Sequence, residues 1–111
     1  MLYHNMSQTQ NQVVPETILE QLRMSRVHGF SFFSYTGIKA YNLEGEDTLY
    51  LKEIPRNPKG ITGIQIVYDY GWDSYKMAFF KSNQRTIPTK EFKDIYFDQL
   101  AEIIVNEMGV N

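Results

Sequence analysis

The sequence predicts an α+β fold, in which an N-terminal helix, a four- to five-stranded antiparallel sheet and a C-terminal helix follow one another along the chain. Apolar residues recur at three- and four-residue spacing near both ends of the sequence, as in helices with one buried side. Between these segments, apolar and polar residues alternate, which indicates strands. Because short connections favour antiparallel neighbours, we expect both helices to pack on one face of the sheet and the other face to contact water.

The first helix is predicted to begin near Val14. Pro15 suits its first turn, because the amide hydrogen that proline lacks would have no partner there. Gly29 is the predicted end of this helix. Residues 1–12 are polar, and we expect them to be a flexible tail in front of a single domain that spans residues 13–111.

Alternation predicts strands in five stretches of the chain, which are residues 30–35, 38–42, 48–54, 64–70 and 74–81. The adjacent rings of Phe32 and Phe33 indicate a first strand that is covered on both faces, or a bulge. The last two strands are predicted to form a hairpin around Gly71-Trp72-Asp73. Six of their residues are predicted to lie on the exposed face of the sheet, namely Gln65, Val67, Asp69, Lys76, Ala78 and Phe80.

Residues 82–93 are predicted to be an irregular, basic connector. The second helix is predicted to run from about Asp94, an acid that suits a first turn, to Met108, and Gly109 is its predicted end. Its buried side is predicted to consist of Tyr96, Leu100, Ile103, Ile104 and Met108.

The composition excludes several functional classes. Without cysteine, the chain cannot carry a disulfide framework, a thiolate nucleophile or a Cys-ligated metal site. The first residues lack the basic start and apolar run of a signal peptide, and no segment reaches the roughly 18 consecutive apolar residues of a membrane span. We therefore expect a cytoplasmic protein without membrane contact. A formal net charge of −2 argues against strong overall attraction to nucleic acid.

The sequence contains no evident catalytic motif. The only histidines, His4 and His28, have no partner at metal-ligand spacing. Asp69 and Asp73 could act as an acid/base pair, but carboxylates at a hairpin tip are typical of a solvated turn. We therefore expect no enzymatic activity, metal or cofactor, although a Ser-His-Asp set could still assemble in space. A series of acids at four-residue spacing is interpreted as a solvated helix face, with a docking surface or a cation site as the alternative: Asp94, Asp98 and Glu102.

The loop that follows the third predicted strand is a candidate anion-binding site. Arg56 and Lys59 flank it, and Asn57 could donate a hydrogen bond to a phosphate. Lys76 and Lys81 are expected on nearby strands, so that basic residues and rings together would form a surface for single-stranded nucleic acid. The alternative interpretation is a plain turn with solvated charges.

Trp72 lies at the predicted hairpin tip, where it either folds back onto the core or stands exposed as an interface anchor. A large apolar patch on the open face of the sheet would in addition favour a homodimer, since such patches seldom stay uncovered.

A set of short motifs spans most of the chain: Thr36-Gly37-x-Lys39, Leu51 to Ile54 followed by Pro55-Arg56-Asn57, Tyr75-x-Met77-x-Phe79-Phe80-Lys81, Tyr96-x-x-Gln99-Leu100 and Met108-Gly109. This pattern resembles a family of small uncharacterised proteins of phages and mobile elements. The chain departs from that family at Ile38 and at the hairpin tip Gly71-Trp72-Asp73. The resemblance implies a mobile element that acts in a bacterial cytoplasm, but no activity, because the family has none established.

We therefore expect a small non-enzymatic binding module that acts by protein–protein interaction, for example as an adaptor or inhibitor of a host factor. The alternative is a nucleic-acid-binding accessory protein that uses the basic loop and the sheet face. The candidate binding residues are Arg56, Asn57, Lys59, Trp72, Lys76 and Lys81.

Overall fold

The computed structural model describes residues 13–111, in which a five-stranded antiparallel sheet and a two-stranded hairpin are combined with three α-helices. In chain order, the elements are α1 (Val13–Met24), β1 (Arg26–Val27), β2 (Phe30–Ser31), α2 (Phe32–Thr36), β3 (Ala40–Glu44), β4 (Thr48–Lys52), β5 (Ile61–Asp69), β6 (Ser74–Lys81), β7 (Lys90–Ile95), a 3₁₀-helix (Phe97–Gln99) and α3 (Leu100–Met108). The predicted flexible tail, including His4, lies outside the described residues.

The large sheet is a meander, in which every strand pairs antiparallel with the next strand along the chain, in the order β3-β4-β5-β6-β7. β5 and β6 form the predicted hairpin, and their ladder continues as far as the pair Asp69 and Ser74. The α+β class and the antiparallel sheet are therefore confirmed.

One hydrophobic core lies between the sheet and the two longer helices. Residues that pair across neighbouring strands share a face of the sheet. The pairs Leu49–Ile66 and Ile66–Met77 therefore place three buried side chains on one face. Ile18 of α1 and Leu100 of α3 are fully buried in the same cluster. Both helices thus pack on this face, as the amphipathic patterns predict.

The prediction of a strand over residues 30–35 is wrong, because most of this segment forms α2. Ser31 caps the helix by accepting a hydrogen bond on its Oγ from the Ser34 N–H, and Gly37 ends it with a φ of 73°. The adjacent phenylalanines therefore project from a helix, and Phe32 is fully buried in the core. Phe33 is partly buried and packs against the same core, so both rings are accommodated by a helix and not by a strand covered on both faces.

α1 ends at Met24, several residues before its predicted end at Gly29. The chain then reverses in a two-residue turn between β1 and β2, with φ angles of 51° at His28 and 87° at Gly29. Two successive positive φ angles are what such hairpin turns require. His28 consequently sits in a hairpin turn and not at a helix end, and its ring centre lies 5.5 Å from that of Tyr35.

The connector predicted over residues 82–93 contains the start of β7, the fifth strand of the sheet. β7 is an edge strand, and most of its side chains are charged and exposed, as is common at sheet edges. Only Phe92 and Ile95 pack against the core. The register with β6 shifts within β7, where Asp94 takes a φ of 57°.

The second long helix begins at Leu100, after a 3₁₀-helix at Phe97–Gln99, and not at Asp94, which belongs to β7. The Tyr96 N–H donates to Gln99 Oε1 at 2.9 Å, which satisfies an amide ahead of the helix. Tyr96 precedes the helix and is exposed. The prediction that it belongs to the buried side of the helix is therefore wrong. The acidic series at four-residue spacing is likewise not a stripe on one helix.

The loop between β6 and β7 covers part of the outer sheet face. The guanidinium carbon of Arg85 lies 3.6 Å from the ring centre of Tyr50, and both terminal nitrogens donate to the Glu44 carboxylate. The hydrogen bond from Arg85 lowers the pKa of Glu44 below its usual value. Phe80, which is predicted to be on the exposed face, is only 3% exposed, and its ring centre is 6.4 Å from that of Tyr50. This face is therefore partly covered.

Candidate functional site

The tip of the β5–β6 hairpin presents a large aromatic side chain to solvent. Trp72 is 75% exposed, and Tyr70, two positions earlier, is exposed as well. Of the two interpretations that the sequence leaves open, folding back onto the core is therefore excluded for Trp72. Tryptophan is enriched among residues that dominate binding energy at protein interfaces.

Hydrogen bonds hold this tip in its conformation. Asp69 Oδ1 accepts a hydrogen bond from the Gly71 N–H at 3.0 Å, and the Trp72 N–H donates to the Asp69 carbonyl at 3.3 Å. The Tyr68 hydroxyl donates to the Asp73 carboxylate, and this hydrogen bond raises the pKa of Tyr68 to about 12. Both carboxylates thus take part in the hydrogen bonds of the turn, as the turn interpretation expects.

Further rings adjoin the tip. The ring centre of Tyr68 lies 4.7 Å from that of Tyr70 and 5.5 Å from that of Tyr75. Tyr96 and Phe97, both exposed, line a cavity of about 320 Å³ together with Tyr68 and Tyr75. We call these five rings and the tryptophan of the tip the aromatic patch. Its members come from the β5–β6 hairpin and from residues 96 and 97, so only the fold assembles it.

The candidate anion-binding loop is built around Asn57, which is only 9% exposed. Its Nδ2 donates to the carbonyl oxygens of Pro55 and Ile61, both at 2.9 Å, and its Oδ1 accepts from the Ile61 N–H at 3.0 Å. Both donor hydrogens of the amide are thus used in closing the loop. A phosphate-binding role for Asn57 stays a prediction, and this geometry does not favour it.

The predicted cations fall into two groups. Arg56 and Lys59 are exposed on the loop, and the stem of Lys81 approaches the same loop. Lys76 lies roughly 16 Å further along β6, at about 3.3 Å per residue. There its Nζ is 3.7 Å from Asp69 Oδ2. The loop and Lys81 are therefore brought together, whereas Lys76 belongs to the other end of the sheet.

Within residues 13–111, no group of three or more His, Asp or Glu side chains could hold a metal ion. No helix in the same range has the length and the apolar character required to cross a membrane.

Comparison with models of protein families found no match, and searches of curated proteins and of solved structures likewise found none. The resemblance of the short motifs to a family of phages and mobile elements therefore stays a prediction.

Proposed function

We propose that this chain is a small non-enzymatic protein-binding module that inserts Trp72 into its partner. The observation that carries the proposal is the 75% exposure of this side chain at the tip of a hydrogen-bonded hairpin. Binding buries the indole, whereas the tip already has its bound conformation, so little conformational entropy is lost. The other rings of the aromatic patch would surround the anchor and exclude water from it.

The setting in this proposal rests on the motif resemblance alone. It is a phage or mobile element in a bacterial cytoplasm, where the module would act as an adaptor or inhibitor of a host factor. The proposal for Trp72 does not depend on that setting.

The test begins with affinity capture from the native host, which supplies a candidate partner, and continues with purified components. Wild type is compared with Trp72→Ala and with Ile87→Ala, a matched control because Ile87 is also an exposed apolar residue, on the loop between β6 and β7. We expect Trp72→Ala to weaken binding about 30-fold, as for a hot-spot residue, and Ile87→Ala to have little effect. Equal affinity of wild type and Trp72→Ala would contradict the proposal.

Fluorescence gives an independent reading of the same event. Trp72 is the single tryptophan of the chain, so the intrinsic tryptophan emission of this protein reports on its environment alone. We expect the emission maximum to move to shorter wavelength when a tryptophan-free fragment of the partner is added. An unchanged maximum in the saturated complex would show that the indole stays in solvent.

Nucleic-acid binding remains the alternative proposal. It is favoured by a groove of about 580 Å³ on the outer sheet face, lined by Lys76, Lys93 and Gln65. Glu91 lines the same groove, and Asp69 neutralises Lys76, so its net positive charge is small. Titration with single-stranded and duplex DNA and RNA at two salt concentrations tests it: binding that weakens steeply with salt would support it. No binding at low salt would exclude it.

A further inference from the structure

A second apolar surface adjoins the aromatic patch and shares Phe97 with it. A cleft of about 670 Å³ separates α3 from the end of α1 and from the β1–β2 hairpin. Ala101 and Val105 of α3 are buried residues of its lining. Met24 and Phe97 also line it, yet they are 74% and 58% exposed. Apolar side chains this exposed around a cleft are typical of a surface that another molecule covers.

The two walls of this cleft carry opposite charges. Asp98 of the 3₁₀-helix and Glu102 of α3 line one side, and the hairpin side carries Arg26 as its cation. Within residues 13–111, neither Asp98 nor Glu102 is paired with a base within 4.0 Å, and Arg26 has no acidic partner at that distance. The guanidinium of Arg26 makes only a long hydrogen bond of 3.5 Å, to the Gly29 carbonyl. The charges of both walls are thus available to a ligand of the cleft.

We propose that this cleft is the interface of a homodimer with two-fold symmetry. A two-fold axis brings each patch of one copy against its counterpart in the other, so the patch must complement itself. A cleft with one acidic and one basic wall meets this condition, because rotation sets the basic wall of each copy against the acidic wall of its partner. Arg26 of each copy then faces Asp98 of the other copy, which gives two such pairs. Met24 and Phe97 of both copies pack between the two pairs.

The same charges argue against a partner of one charge sign. A strongly basic segment would be attracted by Asp98 and Glu102 but repelled by Arg26 on the opposite wall. An acidic segment would be attracted by Arg26 but repelled by the two carboxylates. Like charges set against each other in an interface cost several kcal/mol. In the two-fold arrangement, each Arg26 instead faces Asp98 of the other copy.

The dimer goes beyond the proposed function and does not depend on it. Trp72 does not line the cleft but Phe97 of the aromatic patch does, so a dimer covers Phe97 and leaves Trp72 outside the interface. If the tips do bind a partner, two linked tips would raise the apparent affinity for a partner that is itself dimeric or clustered.

Analytical ultracentrifugation of the full chain, from micromolar to millimolar concentration, tests the dimer. We expect wild type to dimerise, and both Arg26→Asp and Asp98→Arg to raise the dimer dissociation constant by at least about 100-fold, because each places two like-charge pairs in the interface. An equimolar mixture of the two variants should dimerise again, because its pairs are complementary. Lys39→Asp reverses an exposed charge outside the cleft and should dimerise like wild type.

Met24→Glu is a second, independent variant. The Met24 side chain is exposed in the single chain, so its replacement should not impair folding. It is expected to prevent dimerisation while leaving the urea unfolding midpoint of the monomer unchanged. A wild-type chain that stays monomeric at every concentration would overturn the proposal. So would a dimer that is insensitive to all three cleft variants, or charge variants that separate but do not recombine in the mixture. Loss of a captured heterologous partner in Met24→Glu, with wild type monomeric alone, would assign the cleft to that partner instead.

Discussion

Replacing Asn57 by alanine is expected to destabilise the fold more than any other single change in the basic loop. The substitution removes three hydrogen bonds, of 2.9, 2.9 and 3.0 Å, that connect the side chain to Pro55 and Ile61. A hydrogen bond of this kind contributes about 1 kcal/mol net, and a buried donor or acceptor left without a partner costs about 1–3 kcal/mol. Ile61 is only 3% exposed. Water therefore has little access to its amide and carbonyl.

The expected loss in the free energy of unfolding is accordingly about 3 kcal/mol for Asn57→Ala. For a chain of this length, each kcal/mol corresponds to roughly 4 °C in the melting temperature, so the midpoint should fall by about 12 °C. Urea unfolding followed by circular dichroism measures the first quantity, and a thermal scan measures the second. Arg56→Ala is the matched control: this neighbour is exposed, and its replacement should change stability by no more than about 0.5 kcal/mol.

Asn57→Asp is a second test, because it predicts the direction in which the stability of the fold changes with pH. A carboxylate keeps the acceptor for the Ile61 N–H but faces two carbonyl oxygens without a proton to donate. This environment disfavours the charged form, so the pKa of the new acid should rise in the folded state above the value of about 3.9 in the unfolded chain. Asn57→Asp should therefore lose stability relative to wild type as the pH rises through its folded-state pKa.

The result that would refute this reasoning is Asn57→Ala with wild-type stability. If that variant also lost binding to nucleic acid, the anion-binding interpretation of the loop would be correct. A large loss of stability that Arg56→Ala does not share would instead identify Asn57 as the residue that closes the loop.

Two further predictions concern titrating pairs. Arg85→Ala should cost about 1 kcal/mol at neutral pH, since its bidentate pair with Glu44 is about one-third exposed. Because Arg85 lowers the pKa of Glu44, that stability is present above the unfolded value and is lost as the pH falls through the folded one. Wild type and Arg85→Ala should thus converge in acid urea titrations, and a constant difference would count against the pair. Asp73→Gly, which keeps the positive φ of 52° accessible, should lower the pKa of Tyr68 from about 12 towards 10. The hydrogen bond raises the folded-state pKa, so its stabilisation is complete below pH of about 10 and disappears as the pH rises to the folded value. Ultraviolet titration of the tyrosinates measures the shift, with Tyr68→Phe identifying the group; an unchanged titration would refute the assignment.

The strands that the sequence predicts best are those with neighbours on both sides. In β5, Ile64 and Ile66 on one face are fully buried, whereas Gln65 and Val67 on the other are partly exposed, so local alternation carries the signal there. β7 lacks that signal, because an edge strand with one neighbour tolerates charge on most of its positions. Its register follows from pairing with β6, which is a long-range contact that no window of sequence contains.

The candidate site likewise combines features that the local sequence predicts with features that depend on long-range contacts. The sequence places Trp72 at a hairpin tip, because glycine and aspartate flank it between two alternating segments. It could not indicate that Tyr96 and Phe97 lie beside that hairpin. Helical spacing predicts burial of Tyr96, but the turn of 3₁₀-helix ahead of α3 leaves both rings exposed. The exposure of Met24 could have been suspected only from its position after the apolar stripe of α1.

The sequence by itself determined the β5–β6 hairpin, the presence and start of α1, the antiparallel character of the sheet and the two helices on one sheet face, since each depends on periodicity and on short connections. Only the tertiary structure decided the conformation of the segments whose local pattern is ambiguous and the role of their residues. Phe32 joins a helix because the core accepts its ring, and Asn57 is a structural residue because the backbone of Ile61 comes within hydrogen-bonding distance. The physical reason is that burial and hydrogen-bond partners are set by residues distant in the chain, whereas propensity and periodicity are local.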